Sequence, residues 1–110
     1  MKVLNLAVPE LEQIEINGEV FDVLMSDADI VNKCANYHKK YKNTDIKNIE
    51  QIRAAVNEGM GLIDDILGEG AVKKISRGRP VSMATATNWL TAISQAVYQQ
   101  ADEKIADKYE

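Results

Sequence analysis

Apolar and polar residues alternate most clearly over Ile14-Glu15-Ile16-Asn17-Gly18-Glu19-Val20-Phe21-Asp22-Val23. Asn-Gly between alternating apolar positions predicts a two-residue hairpin, because a type I′ turn needs positive φ at both central residues. That turn pairs Ile16 with Glu19 and Ile14 with Phe21. Ile14, Ile16, Phe21 and Val23 then share one face, and Glu15, Val20 and Asp22 the other. An isolated hairpin is marginal in water, so this one must lie on helices, gain a third strand or pair with another chain. Leu4, Leu6 and Val8 alternate as well, which makes residues 3–8 the candidate third strand.

From Ser26 the period changes from two to between three and four. Ser26 is placed to cap a helix whose first turn holds Asp27 and Asp29, acids that suit its positive end. Ile30, Cys34, Tyr37 and Tyr41 fall at helical spacing, Lys39, Lys40 and Lys42 close the last turn, and Asn43 stops it. A second helix is capped by Thr44 or Asn48, the latter with Gln51 as a capping box. Its apolar seam reads Ile49, Ile52, Val56, Met60, Ile63 and Leu67, with Gly59 and Gly61 inside it for close packing or a bend. Gly68 and Gly70 end it. A short amphipathic turn, residues 71–75, precedes the breaker Ser76-Arg77-Gly78-Arg79-Pro80. The last helix runs from near Ser82 to about Lys108, with Met83, Ala86, Leu90, Ile93, Val97, Ala101 and Lys104 on one side and Trp89 and Ile105 beside them. At 1.5 Å per residue it spans ~40 Å, more than a globule of this length offers. The expected architecture is therefore α+β and mostly helical. A β-hairpin region at 1–25, with two strands or three, precedes a helical region at 26–110 of three main helices and a short helical turn, in one domain of 110 residues.

Composition adds exclusions. The chain is 45% apolar and 27% charged, which argues against wholesale disorder. No apolar run approaches the ~18 residues of a membrane span, and the start is too interrupted for a signal peptide. A single cysteine permits no internal disulfide and fits a reducing cytosol. The net charge of −4 conceals alternating blocks. Residues 1–32 carry seven acids and one lysine, 33–53 six bases and two acids, 58–69 four acids, and 73–79 four bases. Such patches can pair within one fold or between copies of it.

Catalytic chemistry finds little support. Cys34 and His38 lie four apart on one helix face, but no second cysteine or histidine completes a metal site or a thiol dyad. Asp64 and Asp65 are adjacent and point ~100° apart, which reads as a solvated acidic face. No catalytic, cofactor-binding or metal-binding residues are assigned, and an enzyme is not expected. Arg77-Gly78-Arg79-Pro80 looks like the core of an AT-hook, with Lys73 and Lys74 able to touch phosphates. The tetrapeptide reads first as a plain helix–helix turn, and an isoelectric point near 5.0 opposes a nucleic-acid protein. A small nucleic-acid-binding regulator using Lys73, Lys74, Arg77 and Arg79 is the alternative function.

Two stretches carry a family likeness. One is Ile16-Asn17-Gly18-Glu19-Val20-Phe21-Asp22-Val23 followed by Ser26-Asp27-Ala28-Asp29. The other is Ile63-Asp64-Asp65-Ile66-Leu67-Gly68-Glu69-Gly70-Ala71, then Lys74-Ile75, Gly78-Arg79-Pro80 and Ser82. In this order the chain resembles the small tail assembly chaperones of siphophages and prophages of Gram-positive bacteria. Ser76-Arg77-Gly78 stands where that family has Phe-Gly, a departure from its pattern. The resemblance implies a non-enzymatic, homo-oligomeric protein that coats and solubilises the tape measure protein and helps tail tube protein assemble around it. It implies action in the host cytoplasm and absence from the mature virion; no cofactor and no membrane partner are expected, and nucleic acid is kept only as the alternative partner. The genes of that family often yield a longer frameshifted product, of which this chain would be the short counterpart. A holdase needs an apolar face that exchanges between self and client. Met60, Ile63, Leu67, Met83, Trp89, Leu90, Ile93 and Val97 are the candidates for it, and each of them also reads as ordinary core.

Overall fold

A computed structural model describes the backbone of every residue except Ile46 and Glu110, and the side chains of residues 1–97 apart from Ile46. The protein is an α+β chain, mostly helical: β1 (Gln13–Ile16), β2 (Glu19–Asp22), α1 (Asp27–Tyr41), α2 (Ile49–Leu67), α3 (Ala71–Ser76) and α4 (Met83–Tyr109). The two strands pair antiparallel with Ile16 opposite Glu19 and Ile14 opposite Phe21, the register set by the Asn17-Gly18 turn. Asn17 and Gly18 take φ of 54° and 83°, as a type I′ turn demands. Phe21 and Val23 are buried and Ile14 and Ile16 half-buried, while Glu15, Asp22 and Val20 (61% exposed) face outward. Beyond the strands the ladder continues, Val23 N–H donating to the Glu12 carbonyl at 2.7 Å.

Residues 1–11 do not supply the third strand; the structure corrects that expectation. They adopt no regular secondary structure, and Leu4, Leu6 and Val8 are 78%, 80% and 87% exposed. The connecting residues Pro9-Glu10-Leu11-Glu12 hold no glycine or asparagine, unlike the Asn17-Gly18 turn, so nothing local favours a tight reversal onto β1.

The helices start and stop on local signals. Ser26 Oγ accepts from Asp29 N–H at 3.2 Å, Asn48 Oδ1 from Gln51 N–H at 3.1 Å, and Ser82 Oγ from Thr85 N–H at 3.1 Å. Thr44 belongs to the end of α1 instead, its hydroxyl donating to the Tyr41 carbonyl at 2.8 Å. The capping box at Asn48 is half made, because Gln51 Oε1 accepts from Asp45 N–H at 3.4 Å. Gly68 and Gly70, with φ of 107° and 85°, carry the chain from α2 into α3.

The core lies between α4 and the α1–α2 pair, with the hairpin and α3 closing one side. Ile30, Cys34 and Tyr37 of α1 meet Leu90, Ile93 and Val97 of α4 and Ile63, Ile66 and Leu67 of α2. The buried face of α2 is rotated from the expected seam. Ala55, Gly59, Ile63, Ile66 and Leu67 point inward, Ile52, Val56 and Met60 lie at the margin, and Ile49 is 63% exposed. Close approach decides this. A Cβ at position 59 would stand 3.0 Å from Tyr37 Oη and 3.2 Å from Ala86 Cβ, so Gly59 is where the three helices converge. Tyr37 donates to the Ala55 carbonyl at 2.9 Å across the same contact. Gly61 meets nothing and carries no such duty. The side chains of Ala101, Lys104 and Ile105, expected along one side of the last helix, lie outside the described residues.

Candidate functional site

An apolar groove of about 330 Å³ runs between the hairpin and α4, lined by Ile14, Ile16, Asn17, Ile75, Trp89, Ala92, Ile93 and Ala96. Each wall is anchored by its own chemistry. The hairpin is held from its far strand, where Phe21 and Val23 enter the core and Leu24 N–H donates to the Ile66 carbonyl at 2.7 Å. The outer edge of β1 is thereby left beside the groove. Ile75 is set by α3, a helix of six residues that needs help at both ends. Asp64 gives it, its carboxylate accepting from Val72 N–H at 2.9 Å and Gly70 N–H at 3.4 Å. Asp64 is thus a tether between α2 and α3; only Asp65 keeps the solvated role read for both. Arg77, at φ 56°, stops α3 as Gly78 N–H returns to the Lys73 carbonyl at 3.0 Å. The floor is α4, where Ala92 and Ala96 leave room that larger side chains would fill, and Trp89 stands half-buried at the side.

No lining residue carries a charge, and the polar groups are those of Asn17 and the Trp89 indole N–H. The groove can hold an extended apolar segment through side-chain burial and has no group for proton transfer. Of the residues proposed as an interaction face, the structure brings Trp89 and Ile93 into it. Ile63, Leu67, Leu90 and Val97 are packed in the core. Met60 is half-buried in a separate hollow by the basic turn, and Met83 is half-buried at the start of α4. Sequence reasoning missed Ile75, Ala92 and Ala96. It identified the apolar face of the hairpin but not what that face would border.

Two other hollows are polar. A cleft of about 470 Å³ between α1 and α2 includes Lys33, Asn36, Lys40, Glu58 and Asp65. Lys40 Nζ reaches Glu58 at 3.1 Å, and the Tyr41 hydroxyl donates to the same carboxylate. The hydrogen bond from Tyr41 lowers the pKa of Glu58, and its counterpart raises that of Tyr41. These groups are mostly exposed, and water screens them. The second hollow, about 480 Å³, includes Lys73, Arg79 and Asp64. Lys73, Lys74, Arg77 and Arg79 are all exposed, and Arg77-Gly78 is a folded helix stop rather than an unstructured basic tract.

Cys34 and His38 do not meet as a pair. Cys34 Sγ is buried, 3.9 Å from the Leu90 carbonyl, and burial pushes its thiol pKa up, away from a reactive thiolate. His38 Nε2 lies 3.2 Å from Thr91 Oγ1. Among the described residues no three of His, Cys, Asp and Glu gather as a metal site, and no helix is long and apolar enough to cross a membrane.

No curated protein and no solved structure matches the chain. A family model described as "Family of unknown function (DUF6673)" matches residues 12–110. The match begins at the residue where the hairpin ladder begins, so it takes in both walls and the floor of the groove and omits residues 1–11. Since it spans nearly the whole chain, this protein belongs to the DUF6673 family.

Proposed function

We propose that this protein is a non-enzymatic binding factor that shelters an extended apolar segment of a client chain. The observation that carries the reading is the uncharged groove between β1 and α4, with the protein's one tryptophan half-buried at its side. Removing apolar client surface from water provides the driving force, and a groove without charged residues imposes little sequence preference. The resemblance to tail assembly chaperones supplies a specific client. In that role the protein binds the tape measure protein in the host cytoplasm, keeps it soluble while tail tube protein assembles around it, and works as a homo-oligomer. The alternating charge blocks support association between copies.

The test uses the purified protein and overlapping peptides from a tape measure protein encoded in the same genome. Apolar peptides should shift Trp89 emission to the blue, and Ala92→Arg, an exposed change in the groove floor, should abolish the shift. Failure of every peptide to move Trp89, with the protein folded, would overturn the reading.

A further inference from the structure

We propose that the outer face of the hairpin in one copy seats on the basic hollow beside α3 of a second copy, joining copies head to tail. The inference rests on the self-association in the function proposed above and uses no residue of the apolar groove. Both faces stand without ionic partners on their own chain. Residues 73–79 carry Lys73, Lys74, Arg77 and Arg79 and no acid, and all four are exposed. Among the described residues none of these four side chains makes an ion pair. Glu15 and Glu19 on the hairpin likewise make none there, and Asp22 accepts from Gln13 Nε2 at 3.0 Å. Amid these acids stands Val20, directly opposite Glu15 in the ladder and open to solvent.

The faces match in shape and in sign. The hollow, about 480 Å³, has an apolar floor that includes Met60, Val72 and Val81, and Lys73 and Arg79 stand at its rim. Its one acid, Asp64, is already engaged, accepting from Val72 N–H and Gly70 N–H. An apolar side chain ringed by carboxylates therefore meets an apolar floor rimmed by cations. Gly61 supports the same site. Glycine inside a helix weakens it, and Gly61 meets nothing in its own chain; as a wall of the hollow it leaves room for an incoming hairpin. The contact cannot form within one molecule. Phe21 and Val23 hold the inner face of the hairpin on the core, so its outer face points away from the body that carries the hollow. Because the two faces differ, pairing builds a ring or a row of copies rather than a two-fold dimer. A face of two four-residue strands lies below the ~800 Å² per partner of a standard interface, so each contact is weak and sensitive to salt.

Sedimentation velocity of the full-length protein and its charge-reversed variants tests this. Every position changed is exposed, so circular dichroism should stay the same. The wild type should associate at low salt and come apart as added salt screens the contact. Lys73→Glu/Arg79→Glu turns the rim of the hollow acidic, and Glu15→Lys/Glu19→Lys turns the hairpin basic. Each variant alone should associate about a hundredfold more weakly. Mixed in equal amounts they again present opposite faces, and association should return. Gly61→Leu, which favours the helix and fills the edge of the hollow, should weaken association without loss of thermal stability. A monomeric wild type, undiminished association by any variant, or a mixture that stays apart each overturns the inference. A wild type that binds A·T-rich duplex through Lys73 and Arg79 but not itself would overturn it and give the hollow to nucleic acid. Client peptides that move Trp89 while the wild type stays monomeric would sink the inference and leave the groove reading standing. Association through these faces with no client peptide bound would have the reverse effect.

Discussion

Residues 3–8 and residues 13–23 both place large apolar side chains at alternate positions, Leu4, Leu6 and Val8 in one and Ile14 and Ile16 in the other, and they end in opposite states. In the second segment Phe21 and Val23 reach the core, and every residue from Gln13 to Ile16 has a strand partner. In the first, Leu4, Leu6 and Val8 stand in solvent. The difference lies in the residues that would reverse the chain. Asn17-Gly18 reaches positive φ at low cost, whereas Pro9-Glu10-Leu11-Glu12 offers no glycine or asparagine for a tight turn. Alternation shows that a segment can be a strand, and turn chemistry helps decide whether it becomes one.

The comparison is broken most severely from the side of the hairpin. Phe21→Ala should cost about 3 kcal/mol in urea unfolding, since it empties a buried aromatic site. Gly18→Val should cost about 1–2 kcal/mol through strain at a φ of 83°, with nothing near its side chain to add a clash. Leu6→Ala should be the mildest, changing monomer stability by no more than about 0.5 kcal/mol because the side chain is exposed. A cost for Leu6→Ala near that of Phe21→Ala would show that residues 3–8 are part of the core after all.

The features legible in the sequence were those set by neighbours in the chain. The hairpin register, the cap at Ser26, a helix start near Ser82, the choice of Thr44 or Asn48 before α2, and the glycine exit from α2 depend on residues a few positions apart. What sequence reasoning missed depends on distance. Counting large apolar side chains put Ile49, Ile52 and Val56 on the inner face of α2. Close approach to Tyr37 and Ala86 selected Ala55 and Gly59 instead, small residues that hydropathy undervalues. Asp64 looked like surface charge because its acceptors' partners lie six and eight residues on, in a helix that begins after two glycines. The groove draws on β1, α3 and α4, and its floor is made of alanines, which attract no notice as a binding feature. The apolar face of the hairpin was its one visible wall.

Amide hydrogen exchange compared between residues 3–8 and the hairpin tests the account's central claim most directly. The account predicts fast exchange throughout residues 3–8 of the monomer and slow exchange for Ile14, Ile16, Phe21 and Val23, whose amides face the partner strand. Equal protection of residues 3–8 in the monomer would place them in the sheet and contradict the account.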